Sequence, residues 1–231
     1  MLVRDWMTKN PLIVSPDTPI EKAIRIMRSQ RIRHLPVIRE DETIAGIVTQ
    51  TDLLQASPSP ATSLSVWEIN FLLARMQVRD AMTRKVIVVS EECPLEEAAM
   101  VMAQNKIGCL PVVHGRRLVG IITETDLFNI FTEQLGVRRS GVRLVLVIED
   151  ARGVLSRIAG LIAAAGGNIV RLTSLPADDP AHQVVTIKVE DATRDMLMNA
   201  LSDHVVEIRD VRDAPGWDSS EFSPYHWTLE A

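Results

Sequence analysis

Cysteine is scarce in this sequence. Cys93 and Cys109 are the only two, too few for a secreted disulfide framework and without the paired spacing of a metal-binding motif. Reduced thiols in a cytoplasmic protein are the simplest reading. Long apolar runs are missing as well. Stretches such as Leu144 to Ile148 fall far short of the ~20 residues that a membrane span needs. The N-terminus, Met1-Leu2-Val3-Arg4-Asp5-Trp6, turns polar too soon for a signal peptide. No dense Lys/Arg block is present, and a formal net charge of −5 lacks the footprint of a nucleic-acid binder. The histidines His34, His114, His182, His204 and His226 are scattered without metal-ligand spacing. There is no Gly-x-x-x-x-Gly-Lys loop, no Gly-x-Gly-x-x-Gly after a strand and no Gly-x-Ser-x-Gly elbow. No nucleophile stands with a base. Membrane, nucleic-acid, metal and catalytic readings all lack their residues.

What the chain does have is self-similarity. Val3-Arg4-Asp5-Trp6-Met7-Thr8 recurs as Val78-Arg79-Asp80-Ala81-Met82-Thr83, and Pro19-Ile20-Glu21-Lys22-Ala23 as Pro94-Leu95-Glu96-Glu97-Ala98. His34-Leu35-Pro36-Val37 recurs as Cys109-Leu110-Pro111-Val112. Gly46-Ile47-Val48-Thr49-Gln50-Thr51-Asp52-Leu53 recurs as Gly120-Ile121-Ile122-Thr123-Glu124-Thr125-Asp126-Leu127. The first three blocks are offset by 75 and the last by 74, so the missing residue falls in the turn at 39–43 against 114–117.

Each repeat reads β-α-β-β-α. Ile13-Val14 is a short strand ended by Ser15-Pro16, and Pro19 opens a helix with Thr18 as its cap. Ile20, Ala23, Ile24 and Met27 keep helical spacing. Strands at 35–38 and 44–48 flank a charged turn, and a second helix starts from Thr49. Repeat 1 spans 1–60 and repeat 2 spans 78–134. Between them Ser57-Pro58-Ser59-Pro60 breaks the chain. Ser65 and Glu68 then make a capping box for a connecting helix over 61–77 that carries Ile69, Leu72, Leu73 and Met76 on one face.

After about Gly136 the pattern changes. Strands at 142–148, 168–172, 183–189 and 205–208 alternate with helices carrying Val154, Leu155, Ile158, Leu161 and Ile162, then 192–201. The order β-α-β-β-α-β over 141–213 is ferredoxin-like. The fold class is therefore α/β and α+β. The tail, 214–231, holds Trp217, Phe222, Tyr225 and Trp227, too much apolar area for a free segment. It is expected to dock on a domain or a neighbouring subunit.

Thr49 and Asp52 lie three apart at a helix start directly after a strand, and Thr123 and Asp126 repeat them. A hydroxyl beside free helix N–H groups suits a phosphate. A carboxylate suits the two hydroxyls of a ribose. The same residues also suit a plain helix cap. Arg28, Arg31, Arg33 and His34 crowd one short segment and favour an anion, although a solvated basic helix end would look alike. The second repeat has Gly108 and Cys109 where the first has Arg33 and His34. A phosphate-bearing ligand is therefore expected at the first repeat, and a less charged adenosyl ligand, or none, at the second. Cys93 at a helix start has either a lowered pKa or the ordinary one of a thiol near a cap.

The duplicated half resembles a tandem of cystathionine-β-synthase (CBS) domains, a Bateman module. The carrying residues are the Val-Arg-Asp-x-Met-Thr openings, the Leu-Pro-Val strands and the Gly-x-x-Thr-x-Thr-Asp-Leu blocks. The resemblance implies contacts of Asp52 and Asp126 with ribose and of Thr49 and Thr123 with phosphate. It also implies contacts from Thr8, Arg33, His34, Pro36, Thr83 and Pro111. The implied ligands are ATP, ADP, AMP or S-adenosylmethionine, with no cofactor required.

The last part resembles an ACT domain through Asp150-Ala151-Arg152-Gly153-Val154-Leu155 and Gly167-Asn168-Ile169. Asp150, Gly153 and Asn168 would then shape an amino-acid site, or the domain would only dimerise. The order CBS–CBS–ACT, with Val66-Trp67-Glu68-Ile69-Asn70, looks like the acetoin-utilisation protein B family. Together these resemblances imply a non-catalytic regulatory homodimer, or failing ligands, an oligomerisation scaffold.

Overall fold

The computed structural model describes residues 1–56 and 76–216. The connecting helix expected over 61–77 and the aromatic tail from Trp217 onward lie outside the described residues, apart from 76–77 and 214–216. The chain divides into two compact units, Met1–Phe128 and Asn129–Ala231.

In the first unit, repeat 1 runs through a short 3-10 turn at Val3–Asp5, β1 (Thr8–Lys9), α1 (Ile20–Gln30), β2 (His34–Ile38), β3 (Ile44–Thr49) and α2 (Gln50–Ala56). Repeat 2 runs through α3 (Val78–Ala81), β4 (Val89–Ser90), α4 (Leu95–Asn105), β5 (Cys109–His114), β6 (Arg117–Thr123) and α5 (Glu124–Gln134), whose residues from Asn129 on are counted with the second unit. The Ile13-Val14 strand reduces to one parallel bridge, Val14 to Val37. Helix α1 buries Ile20, Ala23 and Met27, and α4 buries Leu95, Ala98 and Met102, the same face in both copies. Each helix ends on a basic residue in the left-handed region, Arg31 at φ 52° and Lys106 at φ 54°. Glycine takes that position at lower cost.

Thr18 is not the cap of α1. Its hydroxyl accepts from the Ser15 N–H at 3.1 Å, and the cap position is held by Pro19 without a side-chain bond. The Ile20 N–H donates instead to the Met76 carbonyl at 3.1 Å. In the other copy the Leu95 N–H donates to the Met1 carbonyl, also at 3.1 Å. A chain carbonyl from just before, or at the start of, the opposite repeat thus satisfies each helix start, and a side-chain cap is not needed.

This is part of a reciprocal exchange. The opening block of repeat 1 packs into repeat 2: Val3 and Arg4 donate to the Cys93 and Glu91 carbonyls, and β1 pairs with β6 at Thr8↔Ile121 and Lys9↔Gly120. The opening block of repeat 2 packs into repeat 1. Val78 and Arg79 donate to Thr18 and Pro16, Ile47 and Thr83 exchange both backbone bonds at 3.0 and 2.9 Å, and Val78 joins the buried core of Ile20, Met27, Leu35, Val37 and Leu53.

Two glycines permit the approach. A Cβ on Gly46 would lie 2.8 Å from both the Met82 sulphur and the Thr83 carbonyl oxygen. One on Gly120 would lie 2.4 Å from the Met7 sulphur and 3.0 Å from the Thr8 oxygen.

The second unit holds β7 (Gly141–Glu149), α6 (Val154–Ala164), β8 (Asn168–Pro176), β9 (His182–Glu190), α7 (Arg194–Leu201) and β10 (Glu207–Ala214). Its sheet runs β10-β7-β9-β8, antiparallel throughout. This is the expected β-α-β-β-α-β order. Leu144, Leu146, Ile148, Val185, Ile187 and Val189 line the face covered by Ile158 and Ile162 of α6 and Leu197 and Leu201 of α7. The last strand runs Glu207–Ala214, later than the expected 205–208. Its edge position explains why hydrophobicity misplaced it: Glu207, Arg209, Asp210, Arg212 and Asp213 are charged, as edge strands often are.

Candidate functional site

The two Thr-x-x-Asp pairs adopt one geometry. The Thr49 backbone N–H and hydroxyl each donate to Asp52 Oδ2 at 2.8 Å, and the Asp52 N–H donates back to Thr49 Oγ1 at 3.1 Å. Thr123 and Asp126 repeat this at 2.8, 2.7 and 3.3 Å. Each pair is a reciprocal helix-start cap. It engages only Oδ2 of the carboxylate. Among the described residues, Oδ1 of neither aspartate accepts a hydrogen bond. Capping and ligand contact are compatible, because the cap holds the carboxylate in one rotamer with an oxygen to spare.

A cavity of about 380 Å³ opens within the first unit, built from both repeats. Repeat 2 contributes Thr123, Thr125 and Asp126 at the start of α5. Repeat 1 contributes Arg31, Arg33 and His34 from the α1–β2 junction, with Thr8, Asn10 and Gln30. Pro11, Leu12, Ile32 and Ile121 add an apolar wall. Three basic or potentially basic residues thus line one space with an aspartate and a helix start.

The cavity groups these residues across the repeats. Arg33 and His34 were assigned to a ligand beside Thr49 and Asp52. Both line the cavity of Asp126, whose lining does not include Thr49, Asp52 or Thr83, while His34 also stands opposite Thr49 in the β2–β3 ladder. The crossing of β1 to β6 carries Thr8 to the second repeat. Pro36 and Pro111 do not line the cavity either. Both are buried in mid-strand, opposite Ile47 and Ile121. Those isoleucines pair on their other side with Thr83 and Thr8. A proline fits where its missing N–H is not called on by the ladder.

Sequence reasoning missed Asn10, Gln30 and Thr125 as lining residues. Thr125 lies inside the duplicated Thr-x-Thr-Asp block, which was a usable signal. Asn10 and Gln30 had none.

The electrostatics centre on His34. Its imidazole is held below its usual pKa by burial and by the adjacent Arg33 guanidinium, while Glu124 and Asp52 pull the other way. Cys109, at the equivalent place in repeat 2, is buried and its thiol is pushed up to about 12 by burial and by Glu124. Cys93 is raised as well, by burial and by Glu97, so its helix-start position does not activate it.

In the second unit, Asp150, Gly153 and Asn168 do not form one site within the chain. Asp150 Oδ1 accepts from Gln183 Nε2 at 3.2 Å. Gly153 occupies the N-cap position of α6 at φ 83°. Asn168 starts β8 beyond the opposite end of α6, whose 11 residues span roughly 16 Å. All three are exposed. Among the described residues no group of three His, Cys, Asp or Glu could hold a metal ion, and no helix is long and apolar enough to cross a membrane.

Comparison with known proteins agrees with this layout. A profile of the CBS domain matches residues 3–59 and 78–133, and a profile of the ACT domain like that of the AHAS small subunit matches residues 144–213. The uncharacterised protein MJ1426 of Methanocaldococcus jannaschii is 33% identical over 152 residues, covering 56% of this chain and 90% of its own. The solved structure of a Vibrio cholerae protein assigned to acetoin utilisation (AcuB) superposes with a TM-score of 0.50 at 33% identity, covering 59% of this chain and 94% of that one. The CBS pair of protein MJ0100, solved with 5′-methylthioadenosine and S-adenosyl-L-methionine, superposes with a TM-score of 0.48 at 29% identity, covering 58% of this chain and 97% of that one.

Proposed function

From the premise that this chain belongs to the CBS-domain family, as a tandem pair followed by an ACT-like domain, we propose that it is a non-catalytic regulatory sensor of an adenine nucleotide or related adenosyl ligand. The observation that carries this reading is the meeting of Asp126 with Arg31 and Arg33 in one cavity. A carboxylate with a spare oxygen suits a ribose diol. Guanidinium groups suit a phosphate, as does the start of α5 at Thr123 and Thr125. Pro11, Leu12, Ile32 and Ile121 supply an apolar wall for a flat base. A volume of about 380 Å³ is in the range of small-molecule sites.

Occupancy would act by adding contacts that bridge the repeats, since the cavity takes residues from both. In the proposed arrangement the ACT-like domain binds an amino acid or dimerises, and any coupling between the modules is reciprocal. An amino-acid site using Asp150, Gly153 and Asn168 would need a second copy of the chain to bring them together. A role in acetoin utilisation is supported by the likeness to the Vibrio cholerae protein, and growth of a deletion strain on acetoin would test it.

A second reading, a scaffold without ligand, is favoured by one observation: both Thr-x-x-Asp pairs already close on themselves as caps. Calorimetry of the full chain with ATP, ADP, AMP and S-adenosylmethionine separates the two. Binding of at least one, weakened in Arg33→Ala and Asp126→Ala, is the expected result. No heat from any of them leaves the scaffold.

A further inference from the structure

Gly108 occupies the place in repeat 2 that Arg33 holds in repeat 1, and the vacated space is used. A Cβ added to Gly108 would lie 3.4 Å from His34 Nε2 and 3.3 Å from Glu124 Oε2. His34 therefore reaches across to the second repeat while still lining the cavity with Arg31, Arg33 and Asp126. The charged groups acting on it come from three elements: Arg33 beside it at the head of β2, Asp52 on α2 and Glu124 on α5. Among the described residues neither ring nitrogen has a hydrogen-bond partner. Burial and Arg33 outweigh the two carboxylates, so the ring gives up its proton more readily than an exposed imidazole does.

An anion set against Arg31 and Arg33 reverses that balance. It offsets the guanidinium field and leaves Glu124 and Asp52 acting on the ring. A cationic sulfonium in the same place would strengthen the repulsion, and an uncharged nucleoside would change little.

We propose that His34 is a proton-linked specificity residue of this cavity: it takes up a proton as an anionic ligand enters, and so favours phosphorylated adenosyl ligands over neutral or cationic ones, increasingly as pH falls. This rests on the nucleotide reading given above.

The test uses the full chain, with AMP and adenosine as probes, and compares wild type with His34→Gln by calorimetry between about pH 6 and 7.5. The second ionisation of AMP falls in the same range, so the readout is the difference between the two proteins. The expected result is that wild type gains AMP affinity over the variant severalfold as pH drops, bounded by about tenfold per pH unit for one linked proton. Proton uptake should appear in wild type alone, measured in buffers of different ionisation enthalpy. Adenosine should show no such difference. Parallel AMP curves for the two proteins would overturn the proposal.

If His34→Gln does not fold, the His34 resonance is titrated by NMR in wild type with and without saturating AMP. A rise in its apparent pKa supports the proposal and an unchanged value defeats it. Wild type that binds neither AMP nor adenosine removes the nucleotide reading itself. Binding without the pH difference removes only the role of His34.

Discussion

Arg33 and Asp126 stand in different repeats and line the same cavity. Neither repeat alone holds both Arg33 at the α1–β2 junction and the aspartate that lines the same space. The repeat read along the chain and the unit that forms the cavity are therefore different objects.

The two aspartates should separate by function and not by stability. Both cap a helix start in the same way, so Asp52→Ala and Asp126→Ala should each cost about 1 kcal/mol in urea unfolding. Only Asp126 lines the cavity. Calorimetry with AMP should show at least about a tenfold loss in Asp126→Ala, the scale of a hydrogen bond to a charged group. Equal losses in both variants would show that the cavity has been assigned to the wrong aspartate.

Gly46→Ala should destabilise the first unit by about 1–3 kcal/mol, the usual range for an overpacked site. The Met82 side chain can move aside, but the Thr83 carbonyl at 2.8 Å is bonded to Ile47 and cannot. Gly160→Ala makes the contrast. Gly160 lies inside α6 with nothing within 4 Å of an added Cβ. That change should stabilise by about 0.5–1 kcal/mol from helix propensity. Chemical unfolding of both variants checks the pair, and a neutral Gly46→Ala would contradict the close approach of the exchanged strand.

Lys188 is 4% exposed on β9 and sits directly opposite Arg143 on β7 and Arg171 on β8. Arg143 and Arg171 have acidic partners, Asp210 and Glu133, whereas the Lys188 ammonium donates only to the Ala214 carbonyl at 3.4 Å among the described residues. Burial and Arg143 hold its pKa below the usual lysine range. Below the folded-state pKa both folded and unfolded chains carry the proton, and the full penalty applies. As pH rises toward the unfolded value the folded chain sheds the proton first, so the penalty fades and stability rises. Lys188→Met should therefore raise stability at neutral pH by up to about 1 kcal/mol, the scale of a cross-strand like-charge pair. It should also flatten the alkaline rise. A loss of stability in the variant would contradict this account.

Thiol labelling should discriminate the cysteines. At about pH 8 an unperturbed thiol is partly ionised and reacts. Cys109, buried and pushed up to about 12, should react only when the protein is unfolded. Cys93 is half-buried and less shifted, so it should react slowly in the folded state. One slow equivalent in buffer and two in denaturant is the expected count from a thiol reagent. Rapid labelling of Cys109 in the native protein would mean that the strand carrying it opens.

Local chemistry was enough to read the duplication, the helix faces and the β-α-β-β-α-β order from residues alone. Ile20, Ala23 and Met27 recur with a helical period, and Gly166-Gly167 stops α6 where such a pair should. These signals act within a few residues and survive without knowledge of the fold. The tertiary structure alone decided that Thr8 belongs with Ile121 and Thr83 with Ile47. It also brought Arg33 and His34 to the lining of the same cavity as Asp126. Backbone pairing between distant strands leaves almost no mark on side-chain pattern, since every residue except proline can both donate and accept along a ladder. The marks it did leave are Gly46 and Gly120, small because another strand must come close, and Pro36 and Pro111, placed opposite isoleucines whose pairing faces the other way. Those four residues carried the information, but only the packed chain shows which strand they were making room for.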